Sequence, residues 1–167
     1  MELYLLRHGK AEERLYNIRS DSKRKLTEAG KKEMEFVAKG IRNLDIDFDF
    51  IISSPLVRAK QTAEITLEYV NNKKPLTIWN ELKPEMDVEK TIKKLTAINP
   101  SSSVLLIGHE PHLTTLISNV ISSNSPSVNI SLKKGGLVHI KTSQEKSKIL
   151  GSLRSILTPK QLKKLCK

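Results

Sequence analysis

The sequence predicts an α/β fold with a largely parallel sheet. Short apolar runs alternate with stretches in which apolar residues recur at helical spacing, the pattern of strands joined by helices. Three apolar runs end in a similar way, in the sequences LLRHG (5–9), IISSP (51–55) and VLLIGHEP (104–111). Because the carboxyl ends of parallel strands share one edge of a sheet, we expect the polar residues after these runs to meet there.

The strands and helices follow one another along the whole chain. The predicted elements are a strand at 3–9, a helix at 27–42, a strand at 50–54, a helix at 56–71, a strand at 76–79, a helix at 88–98, a strand at 103–107, a helix at 112–121, two antiparallel strands at 136–141 and 149–153, and a short basic helix from 158. The predicted connections are polar loops at 10–25, 80–86 and 122–129, a break at 73–75, and a polar segment at 142–148 between the last two strands.

Single residues mark the ends of several elements. Gly9 allows the backbone to turn sharply after the first strand and lets a ligand approach. Thr27 and Asp87 are suited to cap the N-termini of their helices. Pro55 is well placed at a first helical position, and Pro100 ends the helix at 88–98.

The composition fits one globular domain spanning residues 1–167. The chain has 38% hydrophobic and 28% charged residues, and its apolar stretches are shorter than the roughly 20 residues that a membrane helix needs. We expect no signal peptide, because the first ten residues lack its pattern. The single cysteine, Cys166, excludes an internal disulfide and fits a reducing cytoplasm.

The formal net charge of +11 would attract anions. Nucleic acid is an unlikely partner, because aromatic residues make up only 4% of the chain and offer little surface for stacking bases. The same charge would draw in phosphorylated substrates.

The predicted sheet edge collects Arg7, His8, Arg58 and His109, together with the helix N-terminus after Pro55. Arginine presents a planar fork that matches phosphate oxygens, and free N–H groups at a helix N-terminus bind phosphate. A neutral imidazole that is oriented through its other nitrogen can attack phosphorus. The pattern therefore indicates a phosphate pocket that can stabilise phosphoryl transfer without a metal.

The motifs RHG, SSPxxRAxQTA (53–63) and GHEP (108–111), taken together and in this order, resemble the histidine phosphatase superfamily, also called phosphoglycerate mutase-like. The stretches SDSKRKLTEAG (20–30), NELKPEMD (80–87) and LTPxxL (157–162) resemble the SixA-type phosphohistidine phosphatases. The resemblance implies a single-domain, three-layer α/β/α fold with a mostly parallel central sheet and no large helical insertion.

The resemblance also implies roles for single residues. His8 is the nucleophile, Arg7 and Arg58 hold the phosphoryl oxygens, and His109 stabilises the transition state. Glu81 matches the position of the general acid best, and no metal or cofactor is needed. Phosphohistidine places less demand on such an acid, because its imidazole can leave already protonated.

Several residues have a second interpretation. Arg24 lies at the pocket rim or is one more solvated charge, and Glu81 is an acid or faces solvent. Ser53 and Ser54 orient the site or belong to a turn. His112 follows His109 at a spacing that can suit a metal, although we favour the phosphatase. His139 and Trp79 are expected to be structural, Trp79 in the core or the pocket wall.

Three functions remain open. The first is removal of phosphate from phosphohistidine in proteins, and the second is hydrolysis of small phosphate monoesters by the same chemistry. The third is a non-catalytic module that binds anions, polyphosphate or nucleic acid. The sequence does not decide the oligomeric state or what the basic C-terminal helix packs against.

Overall fold

The structure, a computed structural model, describes residues 1–13, 21–70, 74–122, 128–145 and 148–166. Parts of the predicted connections, and Lys167 at the end, therefore lie outside the described residues; these parts are 14–20, 71–73, 123–127 and 146–147.

Strands and helices alternate as the sequence predicts. In chain order the elements are β1 (Glu2–Arg7), α1 (Glu28–Arg42), β2 (Phe50–Ser53), α2 (Val57–Tyr69), β3 (Thr77–Ile78), a 3₁₀ turn (Asn80–Leu82), α3 (Val88–Thr96), β4 (Ser103–Gly108), α4 (His112–Ile121), β5 (Leu137–Glu145), β6 (Lys148–Leu157) and α5 (Pro159–Lys164).

The strands form one mixed sheet in the order β3-β2-β4-β1-β5-β6. The pairs β2–β3, β2–β4 and β1–β4 are parallel, whereas β1–β5 and β5–β6 are antiparallel. The sheet is therefore mostly parallel with an antiparallel hairpin at one edge, which confirms the predicted fold class.

Both faces of the sheet are covered. Alternate residues of β1 point to opposite faces, so Leu3 and Leu5 pack in one apolar cluster and Tyr4 and Leu6 in the other. The first cluster contains residues of α3 and α4, and the second contains residues of α1, α2 and α5. The result is the predicted three-layer α/β/α arrangement.

Three helices begin at side-chain caps. The Thr27 hydroxyl accepts a hydrogen bond from the backbone N–H of Gly30 at 3.0 Å, and the Asp87 carboxylate accepts one from Glu89 at 3.0 Å. Thr158 forms a reciprocal capping box at the start of α5. The sequence-based assignment of Thr27 and Asp87 as caps is confirmed.

The last two strands are longer than predicted. The sequence predicts a connection at 142–148, but β5 continues to Glu145 and pairs with β6 from Lys148 onward. Backbone hydrogen bonds hold an antiparallel pair, so polar side chains are compatible with a strand that has one exposed face. Among the described residues no helix is both long and apolar enough to span a bilayer.

Candidate active site

The carboxyl ends of three parallel strands lie side by side. Arg7 at the end of β1 pairs with Gly108 at the end of β4, and Ser53 at the end of β2 pairs with Ile107. The backbone N–H of His8 donates to the Gly108 carbonyl at 3.1 Å. The residues that follow these strands are thereby brought to one edge of the sheet, as the sequence predicts.

A cavity of about 760 Å³ opens at this edge. It contains five of the six predicted site residues, namely Arg7, His8, Arg24, Arg58 and His109. The other described residues of its lining are Asp21, Ser22, Leu56, Lys83, Pro84, Glu85, Glu110, Pro111 and Lys134. Of these, Glu85 belongs to the segment in which the sequence suggests a general acid, and the others were not expected at the site.

His8 is fixed in one orientation and one tautomer. Its ring is buried, and Nδ1 lies 2.7 Å from the carbonyl oxygen of Gly9. A carbonyl can only accept, so Nδ1 carries the hydrogen and Nε2 keeps its lone pair. The Nε–H of Arg58 donates to this Nε2 at 3.3 Å.

The environment keeps His8 neutral. Burial lowers its pKa to about 3, reinforced by the charges of two nearby arginines and Lys134 and opposed by the Gly9 hydrogen bond. A neutral imidazole with an unprotonated Nε2 is the form that can act as a nucleophile. His8 is therefore neutral at neutral pH, with Nε2 unprotonated.

His109 lies next to His8, with ring centroids 4.9 Å apart. Its Nε2 is 2.8 Å from the Ser54 hydroxyl, and its buried Nδ1 has no hydrogen-bond partner among the described residues. Burial, followed by the influence of His8 and Arg58, lowers the pKa of His109 to about 2. Ser54 thus orients the ring, and Nδ1 remains able to bond a ligand.

Arg7 is held by a loop that the sequence analysis did not assign to the site. Its guanidinium donates to the Leu132 carbonyl at 2.6 Å, and its own carbonyl accepts from the N–H of Gly135 at 2.9 Å. Gly135 has a φ of 73°, a left-handed conformation that favours glycine. The Gly135-Gly136 pair was the available signal for a tight turn here.

Gly9 is needed for packing. A Cβ at this position would lie 2.5 Å from Cγ of Met34 on α1. Among the described glycines only Gly135 has a positive φ, so the predicted conformational freedom is not the requirement at Gly9. The absence of a side chain lets α1 pack directly against the backbone that follows His8.

A carboxylate joins two of the arginines. Asp21 accepts hydrogen bonds from Arg24 Nε at 2.9 Å and from Arg58 NH2 at 3.1 Å. Arg24, for which a solvated position was the alternative, therefore belongs to the cavity wall.

Comparison with known families agrees with this geometry. The model of the family described as histidine phosphatase superfamily (branch 1) matches residues 3–90, more than half of the chain. The matched region includes Arg7, His8 and Arg58. The chain belongs to the histidine phosphatase superfamily.

Similar proteins cover most of this histidine phosphatase. An uncharacterized protein of Picosynechococcus sp. is 31% identical over 144 residues, which are 85% of this chain and 86% of that protein. The phosphohistidine phosphatase SixA of Escherichia coli K12 is 29% identical over 128 residues, covering 75% and 78% of the two chains. The solved structure of the protein histidine phosphatase SixA complexed with tungstate superposes with a TM-score of 0.82 at 25% identity, covering 97% and 99%.

In this histidine phosphatase the role of Glu81 as general acid stays a prediction, and the structure shows its carboxylate paired with Lys94. Glu81 is absent from the described lining of the cavity, and its Oε2 accepts a hydrogen bond from Lys94 Nζ at 2.8 Å. That hydrogen bond lowers the pKa of Glu81, so the carboxyl group is ionised and lacks a proton to donate. Lys94 also lies 5.0 Å from the ring centroid of Trp79, which packs against the core as predicted.

The other histidines have structural contacts. His112 Nε2 is 3.1 Å from the Thr91 hydroxyl, and its Nδ1 is 3.1 Å from the Met86 carbonyl. In the part of the chain that the structure describes, no three His, Cys, Asp or Glu side chains are grouped to hold a metal. His139 stacks on Tyr4 at 4.2 Å and contacts Glu2 at 2.7 Å, away from the cavity lining.

Proposed function

We propose that this protein is a metal-independent phosphatase that removes the phosphoryl group from phosphohistidine in proteins, through a phosphorylated His8. The whole chain, residues 1–167, forms the one domain that carries this activity. The observation that carries the proposal is the locked tautomer of His8, whose unprotonated Nε2 lies in a cavity lined by three arginines.

In the first step the lone pair of His8 Nε2 attacks phosphorus, and the bond between phosphorus and the substrate imidazole breaks. The phosphoryl oxygens are held by the guanidinium groups of Arg7 and Arg58, and His109 donates from Nδ1 as charge develops. The Nδ1–H bond to Gly9 stabilises the positive charge that His8 acquires.

The substrate class follows from the leaving group. A phosphohistidine ring that carries a proton on its second nitrogen leaves as neutral imidazole, so phosphoryl moves from one imidazole to another without proton transfer from the enzyme. An alkyl phosphate ester would need an acid to protonate its alkoxide. Phosphohistidine is the substrate that we favour, because it can leave without an acid and Glu81, the expected acid, is paired with Lys94; the similarity to SixA supports this choice.

In the second step a water molecule attacks phosphorus and the bond to His8 Nε2 breaks. The electron pair returns to Nε2, and both water hydrogens leave with dihydrogen phosphate. His8 is then neutral again with its hydrogen on Nδ1, ready for another cycle.

The experiment compares three proteins: wild type, His8→Ala, and His139→Gln as a matched control outside the cavity. The substrates are a histidine-rich protein phosphorylated with phosphoramidate, p-nitrophenyl phosphate and glycerol phosphate, all assayed in EDTA. Wild type and His139→Gln are expected to release phosphate fastest from phosphohistidine and slowest from glycerol phosphate. His8→Ala is expected to lose at least about 10³-fold in kcat/KM.

A radiolabelled intermediate provides a second readout. Rapid denaturation of wild type during turnover should trap a phosphoenzyme that is labile in acid and stable in base, and His8→Ala should trap none. Full activity of His8→Ala would refute the nucleophile. Equal rates on glycerol phosphate and phosphohistidine would instead favour a small-molecule phosphatase, and salt-dependent anion binding without hydrolysis would favour a binding module.

A further inference from the structure

Asp21 places a carboxylate between two of the arginines that line the cavity. Its two oxygens contact two different arginines, Oδ1 with Arg24 at 2.8 Å and Oδ2 with Arg58 at 3.1 Å. We propose that Asp21 is a positioning residue, which bridges Arg24 and Arg58 and holds their guanidinium groups in the orientation that binds the phosphoryl group. This inference rests on the proposed function.

Arg58 is fixed through all three of its guanidinium nitrogens. Its Nε donates to His8, its NH1 donates to the backbone carbonyl of Asp21 at 2.7 Å, and its NH2 donates to the Asp21 carboxylate. The side chain is 3% exposed. Asp21 therefore supplies two of the described contacts that set the plane of this guanidinium group.

Arg24 is held by the same carboxylate from the other side. Both its Nε and its NH2 contact Asp21 Oδ1, and its NH1 donates to the Glu12 carbonyl at 2.7 Å. Without the carboxylate, the like charges of the Arg24 and Arg58 guanidinium groups would repel each other more strongly. A long, flexible side chain such as Arg24 would then turn toward solvent.

The carboxylate is present in its charged form. Desolvation alone would raise the pKa of Asp21, but the charges of Arg58 and Arg24 and their hydrogen bonds outweigh it and lower the pKa. Asp21 therefore remains ionised at neutral pH and offers acceptors to both guanidinium groups throughout the reaction.

The test measures anion binding and turnover in Asp21→Asn, which keeps the volume and removes the charge. Tungstate is the probe for binding, measured by calorimetry, and p-nitrophenyl phosphate is the substrate. We expect about tenfold weaker tungstate binding and at least tenfold lower kcat/KM, with the midpoint of thermal unfolding close to wild type. Asp47→Asn, an exposed carboxylate outside the cavity, is the control and should match wild type.

A double-mutant cycle separates positioning from a general loss of structure. If Asp21 acts through Arg24, adding Asp21→Asn to the Arg24→Ala variant should lower tungstate affinity and kcat/KM by a smaller factor than Asp21→Asn does in wild type. Asp21→Glu, which restores the charge on a longer arm, should recover part of the tungstate affinity. Additive effects, or tighter tungstate binding in Asp21→Asn, would overturn the proposal, the latter by showing that the carboxylate only repels anions.

The two proposals fail in different ways. Wild type that neither binds tungstate nor hydrolyses a phosphate would refute the proposed function, and this inference with it. Wild type that does both, beside an Asp21→Asn variant indistinguishable from it, would refute only the role of Asp21.

Discussion

Acidification below about pH 6.5 is expected to destabilise this protein through two buried histidines. His8 and His109 have pKa values lowered from 6.5 to about 3 and about 2, because both rings are buried. In the unfolded chain each ring returns to its ordinary pKa. Between pH 6.5 and pH 3 the unfolded state therefore binds more protons than the folded state, and the free energy of unfolding must fall as the pH falls.

The magnitude follows from the two pKa values of each histidine. Lowering the pH from 7 to 5 costs about 2 kcal/mol of unfolding free energy for each ring, so about 4 kcal/mol for the pair. In His8→Asn, which keeps a polar group of similar shape without a titratable nitrogen, the contribution of His8 disappears. Between pH 7 and pH 5 the unfolding free energy of this variant should therefore fall by only about 2 kcal/mol on account of positions 8 and 109, all of it from His109.

Urea denaturation at pH 7 and pH 5 measures this difference directly. The comparison uses the change between the two pH values within each protein, so a constant effect of the substitution on stability cancels. If wild type and His8→Asn lose the same unfolding free energy between pH 7 and pH 5, His8 is not held neutral by burial. His8 would then not be a nucleophile that burial keeps unprotonated at neutral pH.

Three further substitutions test the site. Glu81→Gln should change kcat/KM on phosphohistidine by less than about twofold, since its carboxylate is paired with Lys94, and a tenfold loss would contradict that. Ser54→Ala removes the hydroxyl that orients His109 and should lower kcat about tenfold, measured with p-nitrophenyl phosphate, while tungstate affinity changes less. Gly30→Ala would place a Cβ 2.0 Å from the Lys10 carbonyl oxygen and should lower the unfolding free energy by about 1–3 kcal/mol in urea denaturation.

The sequence predicts the position of the site better than its internal contacts. Arg7 and His8 lie at the end of one predicted strand and His109 closely follows another, so the topology of a parallel sheet is enough to bring them together. The extent of the β5–β6 hairpin is harder to predict from the sequence, because Thr142–Glu145 are polar and a polar strand differs from a loop only in its backbone pairing. Such pairing depends on the partner strand, and local composition does not reveal it.

The contacts of Asp21 and Glu81 depend on side-chain direction. Asp21 and Arg58 are 37 residues apart in the sequence, so no local sequence pattern predicts their ion pair. Glu81 lies in a segment that matches the expected place of an acid, yet its side chain turns toward Lys94 on α3. A shift of one side chain between the cavity and a neighbouring helix changes the chemistry without changing the motif.

The site must meet two electrostatic demands that conflict. Binding a phosphoryl group requires concentrated positive charge, but a nucleophilic histidine in water would itself be partly protonated near neutral pH. Burial resolves the conflict, because it disfavours protonated His8 and the charges of Arg7 and Arg58 disfavour it further. The same guanidinium groups that we propose to hold the substrate therefore also help to keep His8 unprotonated. In its proposed role the Asp21 carboxylate holds Arg24 and Arg58 in place, so that their charges stay directed at the bound phosphoryl group.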